Sequence, residues 1–190
     1  MADIDSPAGH GGEVGAAAEA RWTLVVAIVT LFLVGMMGYM SLHWAAMPPV
    51  RTETVDPGTL HIAGEFIETN LGTFAEADGS ATVRVLANQY SFTPQCIVVP
   101  ADMPVLFRGT AADVVHGFSI SASNVNLMLV PGFVTKLRTR FERTGEYLMP
   151  CHEFCGNGHA AMWAHVKVID RESFMRQSRD AAGKGVSCVQ

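Results

Sequence analysis

Basic charge is scarce in this chain. Lys and Arg number 13 against 18 Asp and Glu over 190 residues, for a formal net charge of -5. Binding nucleic-acid phosphate takes a basic surface, so this balance argues against a nucleic-acid partner. No Lys or Arg precedes Arg21, whereas Asp3, Asp5, Glu13 and Glu19 all do. A secretory leader opens on a basic segment and has a shorter apolar core, so a cleaved signal peptide is disfavoured despite the small residues in "HWAAM". Cysteines number four, Cys96, Cys151, Cys155 and Cys188, and a single pair is closely spaced. That is too little to read as a disulfide framework, and Cys96 and Cys188 read as a strand thiol and a tail thiol. The chain also lacks a C-x-x-C-H heme attachment and any internal repeat.

Charge of either sign is missing from Trp22 to Met47, "WTLVVAIVTLFLVGMMGYMSLHWAAM". As a helix, this stretch is long enough to cross the roughly 30 Å of bilayer hydrocarbon. Trp22, Tyr39 and Trp44 lie towards its ends, where aromatic rings favour the lipid–water boundary. Arg21 and Arg51 flank it almost evenly, so charge counting does not orient it.

The organisation expected from these features is a flexible tail over 1–20, a transmembrane helix over 21–47, and a linker with a possible short helix over 48–79. A folded domain over 80–170 and a polar C-terminal tail over 171–190 follow. Within the domain, "ATVRVLA", "CIVVP", "PVLFRG", "FVTKLRTRF", "GEYLMP" and "MWAHVKVI" read as short strands separated by turn residues. Phe133, Leu137 and Phe141 fall on one face of their strand and Lys136, Arg138 and Arg140 on the other, a basic row that could meet an acidic partner but reads first as a solvated outer face. The pattern predicts a mainly β protein, an antiparallel sandwich.

Between the last two strands lies "CHEFCGNGHAAM", Cys151 to Met162. On a helix Cys151, Cys155, His159 and Met162 would share a face. Gly156, Asn157 and Gly158 disfavour that helix by roughly 2 kcal/mol against alanines, so a loop is the better reading. Zinc is a poor match, because a thioether is a poor zinc ligand but a common weak axial ligand of copper beside thiolate and imidazole. A mononuclear copper site needs one Cys. Two, four residues apart, can bridge a pair of ions, each of which then takes one His and one weaker ligand. A second histidine is therefore required upstream, and His116 in "DVVHGFSI" is the candidate.

These residues strongly resemble subunit II of the heme-copper oxygen reductases, which carries the binuclear copper centre called CuA. The family loop C-x-E-x-C-G-x-x-H-x-x-M is matched at every fixed position from Cys151 to Met162, and "VPADMPVLFRGTAADVVHGFSI" resembles the segment leading to the first histidine. The similarity runs from about Ala81 to Ile169, with the membrane anchor before it. The resemblance implies that Cys151 and Cys155 bridge two copper ions, with His116 and His159 as terminal imidazoles. Met162 and the backbone carbonyl of Glu153 would be the weak ligands.

The implied fold is a cupredoxin-like β-sandwich anchored by one N-terminal transmembrane helix, on the outer, periplasmic side of a bacterial inner membrane. A single helix looks more like the B-type enzymes than the A-type. Tyr90 and Phe92 stand where A-type relatives carry a Trp-rich patch through which electrons enter, although core packing is an equal reading for them. Glu153 stands where a carboxylate helps hold magnesium in A-type relatives, an ion not expected in a B-type architecture.

The implied function is to take electrons from cytochrome c or a small copper protein and pass them to heme in the catalytic subunit I. Oxygen would be reduced to water there, with protons moved. Having no heme attachment and no set of membrane histidines, this chain would not reduce oxygen alone. A CuA subunit of a nitric oxide reductase and a membrane-tethered copper chaperone or storage protein are the alternatives. A quinol oxidase subunit would have lost the ligands that are intact here.

Overall fold

The computed structural model describes residues 10–43 and 53–188, with side chains from 15 onward. It divides into an N-terminal unit and a unit beginning at Arg51. The N-terminal unit is one helix, α1 (His10–His43), so the helix begins within the stretch expected to be a flexible tail. Trp44 to Met47, the expected end of the span, lie outside the described residues, as do residues 1–9. Residues Gly15–His43 are long and apolar enough to cross a membrane. Trp22, Leu31, Phe32, Met37 and Leu42 all point outward and are exposed. A helix that is apolar all round finds its partner in lipid rather than on one side of a core.

The second unit is built from strands β1 (Glu53–Thr54), β2 (Gly72–Ala75), β3 (Ala81–Asn88), β4 (Ser91–Thr93), β5 (Cys96–Pro100), β6 (Pro104–Ala111), β7 (His116–Ser119), β8 (Asn126–Leu129), β9 (Phe133–Arg140), β10 (Gly145–Pro150) and β11 (Trp163–Ile169). A short helix, α2 (Arg171–Asp180), follows. One sheet runs β1-β9-β6-β3-β2, with β4 also on β3; a second runs β10-β11-β5; β7 and β8 form a hairpin. Most pairs are antiparallel, as expected, but β3 with β6 and β5 with β11 run parallel. The chain crosses between sheets after β4 and returns in β6 beside β3, which a meander of hairpins cannot do.

Period-two alternation explains how the sheets face each other. In β11 Ala164, Val166 and Val168 are buried, while Trp163, His165 and Lys167 face outward. They meet Val83, Val85, Phe107, Phe118, Leu129 and Met149 in one continuous core. The strand β9 departs from its expected pattern. Phe141 is buried, but Phe133 is exposed and Val134, on the basic face, is buried.

The reason is the segment expected to be a linker. Residues 55–71 cross the outer face of the large sheet and place Leu60, Phe66 and Leu71 against Leu86 and Val134, forming a second small core. Instead of a helix, this strap contains two single 3-10 turns, Pro57–Thr59 and Glu68–Asn70. Arg84, Arg108 and Lys136 are register neighbours on three adjacent strands, a like-charge row that would repel. The strap brings carboxylates to it. Glu65 accepts from Arg84 Nε at 2.9 Å and from both Nε and Nη2 of Arg108, while Glu53 pairs with Arg108 and Lys136.

Burial works against ionisation of Glu65, yet hydrogen bonds from Arg108 and Arg84 outweigh it and hold the carboxyl below its ordinary range. Glu53 is lowered by Arg108 first and then by Lys136. Both folded-state values lie below the unfolded ones, so this stabilisation is present at neutral pH and is lost as pH falls below about 4.5 through the folded values. Glu65→Gln should destabilise the domain at pH 7 by about 2 kcal/mol, between the limits for exposed and buried pairs. Thermal unfolding at pH 7 and pH 3 checks this. The gap between variant and wild type must shrink in acid, and a gap that persists would locate the effect elsewhere.

The C-terminal stretch does not leave the core. Asp170 caps α2 by accepting from the Ser173 N–H at 2.8 Å, and Phe174 is fully buried. Beyond α2, Val186 exchanges two backbone hydrogen bonds with Thr73 on β2. Cys188 is bonded to Cys96 at the start of β5, so the two cysteines, whose redox state the sequence does not settle, form a disulfide.

Candidate metal centre

Each part of the site is held by a different strand end. His116 opens β7 and is completely buried. Cys151 follows β10, forming a bridge to Phe118 on β7 and donating its N–H to the Met162 carbonyl at 3.0 Å. The His152 N–H donates to the Gly117 carbonyl, so the loop is pinned on both sides of the cysteine. Between Cys151 and Met162 the chain is irregular except for a 3-10 turn at His159–Ala161, which agrees with the loop reading and not the helical one.

The glycines of this loop have a visible reason. A Cβ on Gly158 would lie 2.5 Å from Tyr90 Cγ, and one on Gly156 would lie 2.6 Å from the Tyr90 hydroxyl. Tyr90 thus lies flat under the loop and is 41% exposed, whereas Phe92 is 1% exposed and packs edge-on against Phe118 in the core.

The loop gathers the expected donors. Cys151 Sγ and Cys155 Sγ are 3.9 Å apart and not bonded to each other. Cys155 Sγ is 3.7 Å from His159 Nδ1 and 3.7 Å from Met162 Sδ, and Cys151 Sγ is 3.3 Å from the Glu153 carbonyl. Across from the loop, a ring nitrogen of His116 and the two sulfurs lie within 4.8 Å of one another. Cys151, Cys155, His116 and Met162 are all buried, and His159 and Glu153 are half-buried. Burial pushes the Cys155 thiol up to about 11, with Cys151 beside it adding to the effect, so a cation binding there must displace a proton.

His116 supplies the test of whether a metal fits. Its Nε2 lies 2.9 Å from Asp113 Oδ1. An ionised carboxylate only accepts, so Nε2 carries the proton and Nδ1 presents a lone pair. That Nδ1 is buried with no hydrogen-bond partner. Such an orphan costs about 1–3 kcal/mol unless something occupies it. Two thiols, two imidazoles and a thioether form a soft donor set suited to copper and unsuited to magnesium or calcium.

Several participants were not anticipated from the sequence. Asp113 accepts from His116, from the Gln89 N–H at 2.6 Å and from the Val114 N–H at 2.7 Å. Burial disfavours its charge, but the Gln89 N–H and then the His116 ring hold the carboxyl below its ordinary range. The Gln89 side-chain amide donates to the Cys155 carbonyl. Phe154 is 75% exposed, with its ring edge-on to His159 at 5.8 Å, and Trp163 is also exposed nearby in sequence. The one available signal was the spacing of Asp113 three residues before His116.

Comparison with known proteins converges on one family. Residues 80–169 match the family profile described as cytochrome c oxidase subunit II, periplasmic domain. A cytochrome c oxidase subunit 2 of Thermus thermophilus is 32% identical over 153 residues, spanning 79% of this chain and 90% of that protein. A second Thermus thermophilus subunit 2 is 33% identical over 130 residues, covering 68% of this chain and 96% of the relative. Among solved structures, a chain of a heme-copper terminal oxidase dimer aligns with a TM-score of 0.52 and 26% identity, over 80% of this chain and 99% of that one. With the β-sandwich and the apolar helix in place, and with relatives matched over nearly their whole length, the chain belongs to the cytochrome c oxidase subunit II family, a subunit of the heme-copper oxidoreductases.

Proposed function

We propose that this subunit binds two copper ions as one CuA centre and takes single electrons from cytochrome c or a small copper protein. It hands them to heme in the catalytic subunit I, where oxygen is reduced to water and protons are translocated. The observation that carries this reading is the buried thiol pair of Cys151 and Cys155 gathered with a ring nitrogen of His116, a buried residue whose Nδ1 has no partner. Cys151 and Cys155 would bridge the ions, His116 and His159 would terminate them, and Met162 and the Glu153 carbonyl would be the weak ligands. Glu153 enters this proposal through its carbonyl alone, without magnesium. Bound there, the coppers supply a one-electron couple whose charge is shared over both ions and both sulfurs.

The protein contributes rigidity and dryness. Cys151 is tied by its backbone to Met162, and His152 to Gly117, so the donors keep their places when the charge changes. Phe118 and Met149 belong to the core that also buries the thiols, and exclude water from that side. On the other side the exposed Phe154 ring offers a donor protein an apolar contact beside His159, and Tyr90 lies under the same loop. The Cys96–Cys188 disulfide suits an oxidising compartment, which supports placing the domain outside a bacterial inner membrane, with α1 as its single pass.

Electron paramagnetic resonance with metal analysis on the full chain in detergent, loaded with copper, tests the proposal. The expected result is hyperfine structure from one unpaired electron shared by two equivalent copper nuclei. Splitting from a single copper, or a silent sample holding zinc, would overturn it. Met162→Leu conserves volume at a site 1% exposed, so it should leave the fold and much of the copper in place. Loss of the thioether should shift the reduction potential and the optical spectrum. A potential identical to wild type would remove Met162 from the ligand set.

A further inference from the structure

Asp113 reaches both halves of the site. Its Oδ1 accepts from His116 Nε2 at 2.9 Å, and its Oδ2 accepts from the Gln89 N–H at 2.6 Å. Gln89 in turn donates from its side-chain amide to the carbonyl of Cys155. One carboxylate thus connects the histidine that opens β7 to the loop that carries the thiols, along a path of three hydrogen bonds. His116 is completely buried, and its other nitrogen has no partner.

We infer that Asp113 is a positioning residue for copper, fixing the tautomer and the ring orientation of His116 and, through Gln89, the placement of the Cys155 segment. This inference rests on the CuA reading above. A neutral imidazole carries its proton on either nitrogen, and only the nitrogen without it can ligate. With the carboxylate accepting from Nε2, the proton stays there and Nδ1 keeps its lone pair. Without it the ring loses its reason to prefer this tautomer, and its orientation is held by packing alone. The negative charge also strengthens the imidazole as a donor, an effect that favours the oxidised state of a bound metal. A carboxylate that served only to tie up the 112–115 turn would have none of these consequences for the metal.

The test compares Asp113→Ala and Asp113→Asn with wild type in the full chain in detergent. Copper retention against a competing chelator, reduction potential, the paramagnetic spectrum and thermal unfolding of the metal-free protein are measured together. Asp113→Ala should bind copper about 10- to 100-fold more weakly. A tenfold selective loss of the oxidised state corresponds to a potential about 59 mV higher for a one-electron couple. Asp113→Asn keeps an acceptor oxygen for Nε2–H but not the charge, so it should recover most of the affinity while its potential stays raised. Wild-type affinity and potential in Asp113→Ala overturn the inference. Should that variant fail to fold, the potential of Asp113→Asn decides, and an unchanged value overturns it. Failure of the CuA reading is seen separately in the wild-type spectrum. A single-copper signal there leaves the affinity comparison intact, because His116 is still the ligand being positioned.

Discussion

Replacing Cys151 with serine should abolish the two-copper signal expected of the proposed centre while leaving the metal-free fold close to wild type. The substitution exchanges one buried sulfur for an oxygen of similar reach, so packing against Phe118 and the backbone bond to Met162 persist. What disappears is one of two soft donors 3.9 Å apart. A serine hydroxyl is a hard and weak ligand for copper at neutral pH, and it does not share charge between two ions as a thiolate does. Copper bound per chain should fall, and the hyperfine pattern should collapse to that of one nucleus or vanish. His116→Ala should act similarly from the opposite side, by removing the nitrogen that faces the pair. An unchanged full spectrum in either variant would sink the assignment.

The second large effect is on stability and lies outside the metal site. Breaking the Cys96–Cys188 bond by Cys188→Ser should cost about 2–4 kcal/mol, since the bond closes a loop spanning 92 residues of sequence. The bond holds the segment that pairs Val186 with Thr73 and covers the β2 side of the large sheet. Releasing it exposes an edge and loosens the buried Phe174. Denaturant unfolding of the metal-free protein measures the cost, and reductant supplies the control. It should lower wild type to the level of the variant and leave the variant unchanged. Equal midpoints for the two proteins without reductant would show that the C-terminal segment adheres by its other contacts alone.

The Cys151–Met162 loop was legible because its candidate donors are local. Cys151, Cys155, His159 and Met162 lie within a dozen residues, and the glycines between them rule against the competing helix. The strand pattern of β11 and the uncharged run in α1 were legible for a similar reason. Period two and an unbroken apolar stretch each report how a segment is solvated. The same reasoning misread β9 in part, because alternation tells which face is covered and not by what. Val134 sits on the basic face, and its cover, Phe66 and Leu71, comes from a segment that reads as linker. Phe174 was hidden likewise, a buried anchor with half-buried Met175 beside it in an otherwise polar helix.

The sequence by itself determined the loop that carries most of the candidate donors, the mainly β class and the long apolar helix, each of which depends on residues close together along the chain. Only the tertiary structure decided that Cys96 meets Cys188, that Glu65 pairs with Arg108, and that Asp113 bonds Nε2 of His116 and leaves Nδ1 without a partner. Those partners are brought together by the parallel return of β6 beside β3 and by the strap and tail that close over the sheets. Contacts of this kind depend on which surfaces the folded chain stacks, and a residue carries no local mark of the distant surface it will meet.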